Sequence, residues 1–227
     1  MWYNTLKDIF CKRGMTMRMR KKPNLVPRME KASAVLEPEP EKLRGRWLAS
    51  FPRCSRLYLE LGCGKGGFTC AAAQAEPEAL LAAVERVPDA MVVAMERACE
   101  MGLGNVRFLD ADAARLPELF APGEADRIYI NFCDPWPKKK QFKRRLTAPG
   151  FLALYRQILK PEGEIRFKTD NRELFDWSEE QLLACGWQVS DVTRDLHANG
   201  PVGIMTDYEK KFYGEGKPIC RLTARVK

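Results

Sequence analysis

Apolar residues from position 56 onward alternate between short runs of strand length and longer stretches with helical periodicity. Pro88 and Pro149 suit the first turn of two of these helices, while Gly102 and Gly186 suit the position just beyond a helix end. The predicted strands are Arg56–Leu61, Ala79–Glu85, Asn105–Asp110, Asp126–Phe132, Gly163–Thr169, Trp187–Thr193 and Pro218–Val226, and the predicted helices are Phe68–Gln74, Pro88–Met101, Ala113–Phe120, Pro149–Leu159 and Arg172–Cys185.

This alternation of strands and helices predicts an α/β fold with a seven-stranded, mostly parallel sheet and helices on both of its faces. Ligands of such sheets bind beyond the carboxyl ends of the strands, near the point where the strand order reverses. We therefore expect the functional residues to follow directly after the strands.

The chain before the sheet is organised differently. Residues 1–31 lack apolar periodicity and are predicted to form a basic N-terminal arm, mobile or ordered by a partner. Residues 32–55 are predicted to be a linker with a short helix around Glu41–Ala49, and residues 56–227 form the α/β domain.

The net charge of +8 is unevenly distributed along the chain. Residues 1–31 contribute +7 and residues 138–145 contribute +6, so the rest of the chain is acidic, at −5. Two concentrated basic segments on an acidic body favour binding of a polyanion. The alternative interpretation is that both segments are merely solvated basic surfaces.

The cysteines and the single histidine argue against a metal protein or a secreted one. The eight cysteines are scattered without a C-x-x-C pair, and His197 is the only histidine. No apolar run approaches the ~20 residues that span a bilayer, and no secretory signal is visible. The sequence predicts a reduced, cytoplasmic, metal-free protein without a membrane segment, either a monomer or a weak homodimer.

A glycine-rich turn follows the first predicted strand. Gly62, Gly64 and Gly67 fit the pattern G-x-G-x-x-G between a strand and a helix. Because glycine has no Cβ, such a turn can lie directly against a ligand. Enzymes that bind nicotinamide dinucleotides share the pattern, so the turn alone does not identify the ligand.

Acidic residues around the turn distinguish the candidate ligands. Glu60 precedes the first glycine by two residues, Glu85 ends the second strand, and Asp110 and Asp112 follow the third. A carboxylate at Glu60 would repel a pyrophosphate but favour the sulfonium and ammonium groups of S-adenosylmethionine. Glu85 can accept ribose hydroxyls, and Asp112 lies where an adenine amino group is expected. A nicotinamide site and a purely structural turn remain the alternatives.

The fourth predicted strand leads into a stiff loop, Asp134-Pro135-Trp136-Pro137, and then into the basic residues 138–145. The tryptophan offers an aromatic face on which an unpaired base can stack. Asp134 can accept a hydrogen bond from the base or from the ammonium group of the cofactor. The alternative is that Trp136 fills a core and that the prolines only break the chain.

Taken together, these motifs resemble the bacterial tRNA (guanine-N7)-methyltransferase family, and the resemblance extends from Met17 to the C-terminus. Residues 1–16 depart from the family pattern and could be an extension. The motifs that carry the resemblance are the glycine turn, D-P-W-P-K-K at Asp134–Lys139, R-R-L-T at Arg144–Thr147, F-K-T-D-N at Phe167–Asn171, D-L-H at Asp195–His197 and I-M-T-D-Y-E at Ile204–Glu209.

The resemblance implies a Rossmann-like class I methyltransferase that uses S-adenosylmethionine, without a metal, to methylate guanosine N7 in the variable loop of tRNA. Asp134 matches the family's catalytic candidate as well as a cofactor-binding position. The cofactor-binding residues implied are Glu60, Gly62, Gly64, Glu85, Asp112 and Asp134, the substrate-binding residues are Lys138, Asp170, Thr206, Asp207, Tyr208 and Glu209, and the RNA contacts are Lys140, Lys143, Arg144 and Arg145.

Guanine N7 carries no proton at neutral pH, so its methylation needs no general base. We therefore assign Asp134 to orientation and Asp170 to the N1/N2 edge of the base, with Thr206 and Glu209 closing the pocket. Three rival functions remain: methylation of an exocyclic amine, non-catalytic RNA binding on the same fold, and a dehydrogenase. Amine methyltransferases often carry [DN]-P-P-[YFW], and the order D-P-W-P at Asp134–Pro137 differs from it.

Overall fold

The computed structural model describes residues 23–226 and contains one seven-stranded sheet. In chain order the strands are β1 (Arg56–Leu61), β2 (Ala79–Glu85), β3 (Val106–Asp110), β4 (Ala125–Asn131), β5 (Leu159–Thr169), β6 (Trp187–Thr193) and β7 (Cys220–Val226).

The strand order in the sheet is β3-β2-β1-β4-β5-β7-β6. Strands β1 to β5 pair in parallel, whereas β7 is antiparallel to both β5 and β6. The order reverses between β1 and β4, so the crevice expected to hold a ligand lies beyond the carboxyl ends of these two strands. The predicted fold class is confirmed.

Helices cover the sheet on both faces, although unevenly. Helices α3 and α4 pack against one face, where they bury Tyr58 and Tyr129, and α6 and α7 pack against the other face over Ile130 and Phe167. The helices are α1 (Leu25–Lys31), α2 (Trp47–Ser50), α3 (Gly67–Ala75), α4 (Pro88–Glu100), α5 (Leu116–Leu119), α6 (Pro149–Ile158), α7 (Arg172–Ala184) and α8 (Asp207–Gly214).

Most predicted elements are present with ends shifted by one or two residues. The exception among the strands is β5, which begins four residues before the predicted Gly163 because Leu159 already pairs with Ala125 across an irregular register. The predicted helix Ala113–Phe120 is instead a 3-10 turn followed by the short helix α5. The predicted helix at Glu41–Ala49 is also divided, into a 3-10 turn and α2.

The prediction of an arm over residues 1–31 is wrong for its last part. Residues 25–31 form α1, whose Met29 is fully buried beside α4. Nε of Arg28 donates to Oε1 of Glu96 in α4 at 2.6 Å. The apolar contacts of α1 are too few to give a periodic pattern, since the helix has only two turns. Residues 1–22 lie outside the described residues.

Helix α8 was not predicted, although its first residues carry a recognisable capping signal. The Thr206 hydroxyl accepts from the N–H of Glu209, and the Glu209 carboxylate accepts from the N–H of Thr206. This reciprocal arrangement is the capping box, T-x-x-E in sequence. Within residues 23–226 no helix is both long and apolar enough to cross a membrane.

We expect Met29→Ala to destabilise the protein by about 2–5 kcal/mol, because truncating a fully buried methionine leaves a cavity between α1 and α4. Chemical denaturation followed by circular dichroism measures the change. Lys31→Ala, on the exposed side of the same helix, serves as the control. Equal stability of the two variants would show that α1 does not belong to the folded domain.

Candidate active site

The glycine turn after β1 leaves open space in front of two of its glycines. Gly62 and Gly64 have positive φ angles of 75° and 56°, and a Cβ at either position would meet no atom within 4 Å. Gly67 is different, because a Cβ there would lie 2.6 Å from Cγ of Asp207. Gly62 and Gly64 therefore suit a ligand, whereas Gly67 permits close packing of α8 on α3.

Glu85 holds the glycine turn in place from the end of β2. The N–H of Gly64 donates to Oε2 of Glu85 at 2.8 Å. The N–H groups of Arg86 and Val87 donate to Oε1 at 2.7 and 2.9 Å. These bonds fix the carboxylate at the strand end, and Oε2, which accepts only one of them, keeps acceptor capacity for a ribose hydroxyl.

Asp112 is fixed beyond β3 by two partners. Its Oδ1 accepts from the N–H of Ala114 at 2.9 Å, and its Oδ2 lies 2.8 Å from Nη1 of Arg86. The side chain is one-third exposed. An adenine amino group at this position would therefore share the carboxylate with the Arg86 guanidinium.

Glu60 lies beneath the glycine turn and is almost completely buried. It accepts hydrogen bonds from the Thr69 hydroxyl of α3 and from Nδ2 of Asn131, the latter at 3.1 Å. Burial raises the pKa of Glu60 to about 7, while the bonds from Thr69 and Asn131 and the charge of Lys168 oppose the shift. Oδ1 of Asn131 is buried without a hydrogen-bond partner in the described part of the chain.

A second buried polar network joins β5 to α8. Nζ of Lys168 donates to both carboxylate oxygens of Glu209, at 3.1 and 3.0 Å, and to the carbonyl of Ile204 at 2.9 Å. Nε2 of His197 lies 2.9 Å from Oε1 of Glu209, and Nδ1 of His197 accepts from the N–H of Val202. Because Nδ1 acts as an acceptor, Nε2 carries the proton that is donated to Glu209.

Thr206 and Glu209, predicted to bind substrate, make internal contacts in this structure. Glu209 is fully buried and every contact of its carboxylate is internal, while the Thr206 hydroxyl caps α8. Oδ2 of Asp207 accepts from Nη1 of Arg97 in α4 at 3.0 Å. The three residues hold α8 over the glycine turn. Asp207 and Tyr208 are the exposed residues of the segment Thr206–Glu209, and Tyr208 is 66% exposed.

The loop after β4 holds Asp134 between two strained residues. Phe132 and Trp136 have positive φ angles of 52° and 41°, which are rare for bulky side chains. Asp134 is exposed, and its carboxylate accepts no hydrogen bond from the described residues. Strained backbone around an available carboxylate is typical of a functional loop.

Arg145, predicted to contact RNA, is buried inside the protein. Its side chain is only 1% exposed. Nε of Arg145 donates to the carbonyl of Pro135 at 2.8 Å, and the guanidinium packs against the rings of Phe142 and Trp177, 3.7 and 4.5 Å from their centroids. Burial lowers the pKa of Arg145. Arg145 supports the loop from inside.

The rest of the basic run is on the surface. Lys138 precedes a 3-10 turn over Lys139–Arg144, and Lys140, Lys143 and Arg144 are exposed. The Arg144 guanidinium lies 3.8 Å from the centroid of the Trp136 ring. One face of Trp136 is therefore already covered, so a base can stack only on its other face or after Arg144 moves.

Asp170, after β5, forms an ion pair with Lys217 through Oδ2, and Oδ1 accepts no bond from another described residue. Nζ of Lys217 also lies 4.2 Å from the centroid of the Phe212 ring. The rings of Phe132, Tyr208 and Phe212 form an aromatic cluster with centroids 6.0–6.5 Å apart. This cluster joins the loop after β4 to α8.

Among residues 23–226 there is no group of three or more His, Cys, Asp or Glu side chains that could hold a metal ion. The predicted cofactor residues lie at or just after the carboxyl ends of β1, β2, β3 and β4, and Asp170 follows β5; these five strands are adjacent in the sheet. The other predicted substrate residues are Lys138, in the loop after β4, and Thr206, Asp207, Tyr208 and Glu209, which follow β6.

The sequence has close relatives of known function. Residues 55–222 match the model of a family described as putative methyltransferase. A tRNA (guanine-N(7)-)-methyltransferase of an Exiguobacterium species is 42% identical over 92% of this chain and 97% of its own length. This chain belongs to the tRNA (guanine-N7)-methyltransferase family. A member from Lachnoclostridium phytofermentans is 43% identical over 82% of this chain and 88% of its own.

Solved structures of more distant proteins share the fold of this family member. A 16S rRNA (adenine(1408)-N(1))-methyltransferase mutant with cosubstrate SAM, from Catenulisporales acidiphilia, has a TM-score of 0.59 at 19% identity, covering 83% of this chain and 92% of its own. The 16S rRNA methyltransferase KamB has a TM-score of 0.60 at 17% identity, covering 78% and 90%. At these identities the likeness concerns the fold alone.

Sequence reasoning missed the residues that support the site from within. Thr69, Asn131 and Lys168 each contact a predicted or neighbouring carboxylate. The available signals were a lysine and an asparagine at the ends of otherwise buried strands, where an unpaired polar group is costly. Lys217 and Arg97 gave no sequence signal, because their partners lie 47 and 110 residues away.

We expect Arg145→Lys to destabilise the protein by about 1.5–3 kcal/mol, since lysine keeps the charge but loses the planar contacts and the bond to Pro135. Lys143→Ala, which removes an exposed charge, should leave stability unchanged. Denaturant titration of both variants measures the difference. A larger loss for Lys143→Ala than for Arg145→Lys would contradict the structural role of Arg145.

Proposed function

We propose that this protein transfers the methyl group of S-adenosylmethionine to N7 of a guanosine in the variable loop of tRNA. The observation that carries the proposal is the 42% identity to a tRNA (guanine-N(7)-)-methyltransferase across 92% of the chain. The arrangement of carboxylates around an open glycine turn supports it independently.

The residues around the glycine turn fit S-adenosylmethionine. Gly62 and Gly64 leave room for it, and Glu85 presents a fixed carboxylate for the ribose hydroxyls. Glu60 and the unpaired Oδ1 of Asn131 suit its ammonium group, because a buried carbonyl oxygen without a partner is satisfied by such a donor. S-adenosylmethionine, when bound, supplies an electrophilic methyl group on a positively charged sulfur.

Methylation of N7 places few chemical demands on the protein. The lone pair of N7 forms the new N–C bond as the S–C bond breaks, so the positive charge passes from sulfur to the base and no proton is removed. The protein contributes by alignment, which can lower a barrier by about 7–11 kcal/mol. Asp134, exposed at the end of a strained loop, is the residue we assign to this orientation.

The guanine would lie between the loop after β4 and α8. Oδ1 of Asp170 is available to accept a hydrogen bond from the N1/N2 edge of the base. If the base displaced Lys217 from its ion pair with Asp170, Oδ2 could accept a second bond. Tyr208, with Phe132 beneath it, offers an exposed ring for stacking. Lys138 and the exposed basic residues after it lie next to this loop and suit the flanking phosphates.

We also propose a cytoplasmic location and a monomer or weak homodimer. The described cysteines are free thiols, which suits a reducing compartment.

The direct test is incubation with radiolabelled S-adenosylmethionine and unmodified tRNA, followed by mass spectrometry of the digested nucleosides. We expect 7-methylguanosine. Asp134→Ala and Asp170→Ala should each lower kcat about 100-fold, because misplacement of the base by about 1 Å has an effect of that size. Glu78→Ala is the control, because Glu78 is an exposed acid at the amino end of β2, at the opposite edge of the sheet from the site. A label on an exocyclic amine would refute the proposal, as would unlabelled RNA.

The affinity for S-adenosylmethionine should rise with pH. Glu60 has its pKa raised to about 7, so below that pH it is mostly protonated. An ammonium group binding beside it favours the ionised form and must displace the proton. Between pH 7 and pH 5 the affinity should therefore fall by about tenfold per pH unit. Calorimetric titration in two buffers measures the affinity for S-adenosylmethionine and the number of protons released on binding.

Glu60→Gln should bind S-adenosylmethionine more weakly at pH 8 and should lose most of the pH dependence. Glu78→Gln should retain the wild-type profile. Unchanged pH dependence in Glu60→Gln would mean that another group is responsible.

A further inference from the structure

One face of the sheet is left without a covering helix over β5, β7 and β6. Strand pairing places the side chains of β5 and β7 on a common face, with Glu164 opposite Arg225, Arg166 opposite Thr223 and Lys168 opposite Arg221. Residues Gln188 and Ser190 of β6 extend the same face. We call this surface the β5–β7 face; it comprises Glu164, Arg166, Gln188, Ser190, Arg221, Thr223 and Arg225, and it ends at Lys168, which is buried against Glu209 of α8.

This part of the sheet is antiparallel, since β7 runs opposite to both β5 and β6. Antiparallel strands commonly have one face packed on the core and the other face in solvent. Here α7 packs on the opposite face, against Phe167 and Leu222, while α3 and α4 cover β1, β2 and β3. None of the helices between residues 23 and 226 packs broadly on the β5–β7 face. Alternate residues of β5 and β7 are accordingly polar on that side.

The β5–β7 face carries more positive than negative charge. Glu164 is buried among three arginines: Nε of Arg127 and Nε of Arg166 each donate to Oε1 at 2.8 Å, and Nη2 of Arg225 donates to Oε2. Arg166 and Arg225 remain 42% and 45% exposed. A second carboxylate, Glu76, lies 3.7 Å from Nη1 of Arg127, and two carboxylates still do not neutralise three guanidiniums, so a local excess of positive charge faces solvent. Nε of Arg221 is buried without a partner in the described region.

A cavity of about 270 Å³ opens beside these arginines, at the amino ends of β1, β4 and β5. Five basic and three acidic residues line it, again an excess of positive charge. It lies at the opposite ends of the strands from the glycine turn. The β5–β7 face thus runs from the site edge, where Asp170 follows β5, to this cavity. Arg166 precedes Asp170 by four residues, or about 13 Å along the strand.

Charge decides which occupant this surface suits. Residues 1–22 contain seven basic residues and one acidic residue, so they would be repelled by the β5–β7 face. An apolar partner has little to contact, because β5 and β7 contribute no large exposed hydrophobic side chain. A polyanion complements the exposed guanidiniums, which bind phosphates through paired N–H groups.

We propose that the β5–β7 face binds the phosphodiester backbone of the tRNA, as a second contact in addition to the basic residues 138–145. The inference rests on the proposed function, because it assigns a surface to the same substrate. A base held beside Asp170 leaves the adjoining RNA within reach of Arg166 and Arg225 along the strand.

The first test compares Arg166→Gln/Arg225→Gln with Arg46→Gln/Arg53→Gln. Arg46 and Arg53 are exposed and lie in the segment before β1. Their replacement by glutamine removes the same amount of positive charge. We expect the first variant to bind tRNA about tenfold more weakly at 0.15 M salt, with its log–log salt slope reduced by about 1–2. Its KM for tRNA should rise while kcat and S-adenosylmethionine affinity stay unchanged. Equal tRNA affinity in the two double variants would overturn the inference.

Because loss of both arginines leaves Glu164 with one partner, a second experiment avoids any folding defect. A photoreactive p-benzoylphenylalanine at Gln188, exposed on the β5–β7 face, should crosslink to bound tRNA. The same group at Leu183, exposed on α7 across the sheet, should not. Crosslinking at Leu183 alone, or at neither position, would also overturn the inference.

Failure of the proposed function gives a different result. In that case the wild-type protein forms no 7-methylguanosine in tRNA, whatever the variants do. If the wild type methylates N7 and the two double variants share its KM, only the role of the β5–β7 face is refuted.

Discussion

The candidate active site depends on the buried ion pair between Lys168 and Glu209. It joins the end of β5 to α8, and His197 and the capping box of Thr206 share the same carboxylate. Removing one partner of a buried pair generally costs about 3–5 kcal/mol, because the other charge is left without compensation. This pair therefore fixes α8 beside the strand ends, where Asp207 packs against Gly67 and Tyr208 faces the loop after β4.

The acidic residues of the site divide into three groups by their surroundings. Glu85 and Asp112 are held by backbone N–H groups at strand ends, so their carboxylates have a fixed orientation. Glu60 is buried, and burial raises its pKa to about 7. Asp134 stands free on a strained loop. One sheet edge thus provides carboxylates with different chemical properties, although their side chains are alike.

The positive charges are also divided by tertiary structure. Arg144 and Arg145 are neighbours in a basic run, yet one is exposed over Trp136 and the other is buried beneath Pro135. In β5 and β7 the arginines lie far apart in sequence but gather around Glu164. Counting charges along the chain locates the basic run that contains Arg144 and Arg145. It overlooks the arginines around Glu164, because only strand pairing brings them together.

The sequence by itself determined the fold class and predicts where along the chain a ligand binds. Hydrophobic runs and helix signals such as Pro88 and Gly102 depend only on residues that are close together in sequence. The glycines of the turn after β1 are recognised in the same way, by their spacing. The T-x-x-E capping box at Thr206 was equally local, although its resemblance to a substrate-binding motif concealed it.

Only the tertiary structure decided which polar side chains face a ligand and which hold the protein together. Arg145 and Glu209 are of the same residue types as the exposed groups around them, and burial alone separates their roles. The reason is physical. A charged group is stable inside the protein only when partners surround it, and those partners come from strands and helices distant in sequence.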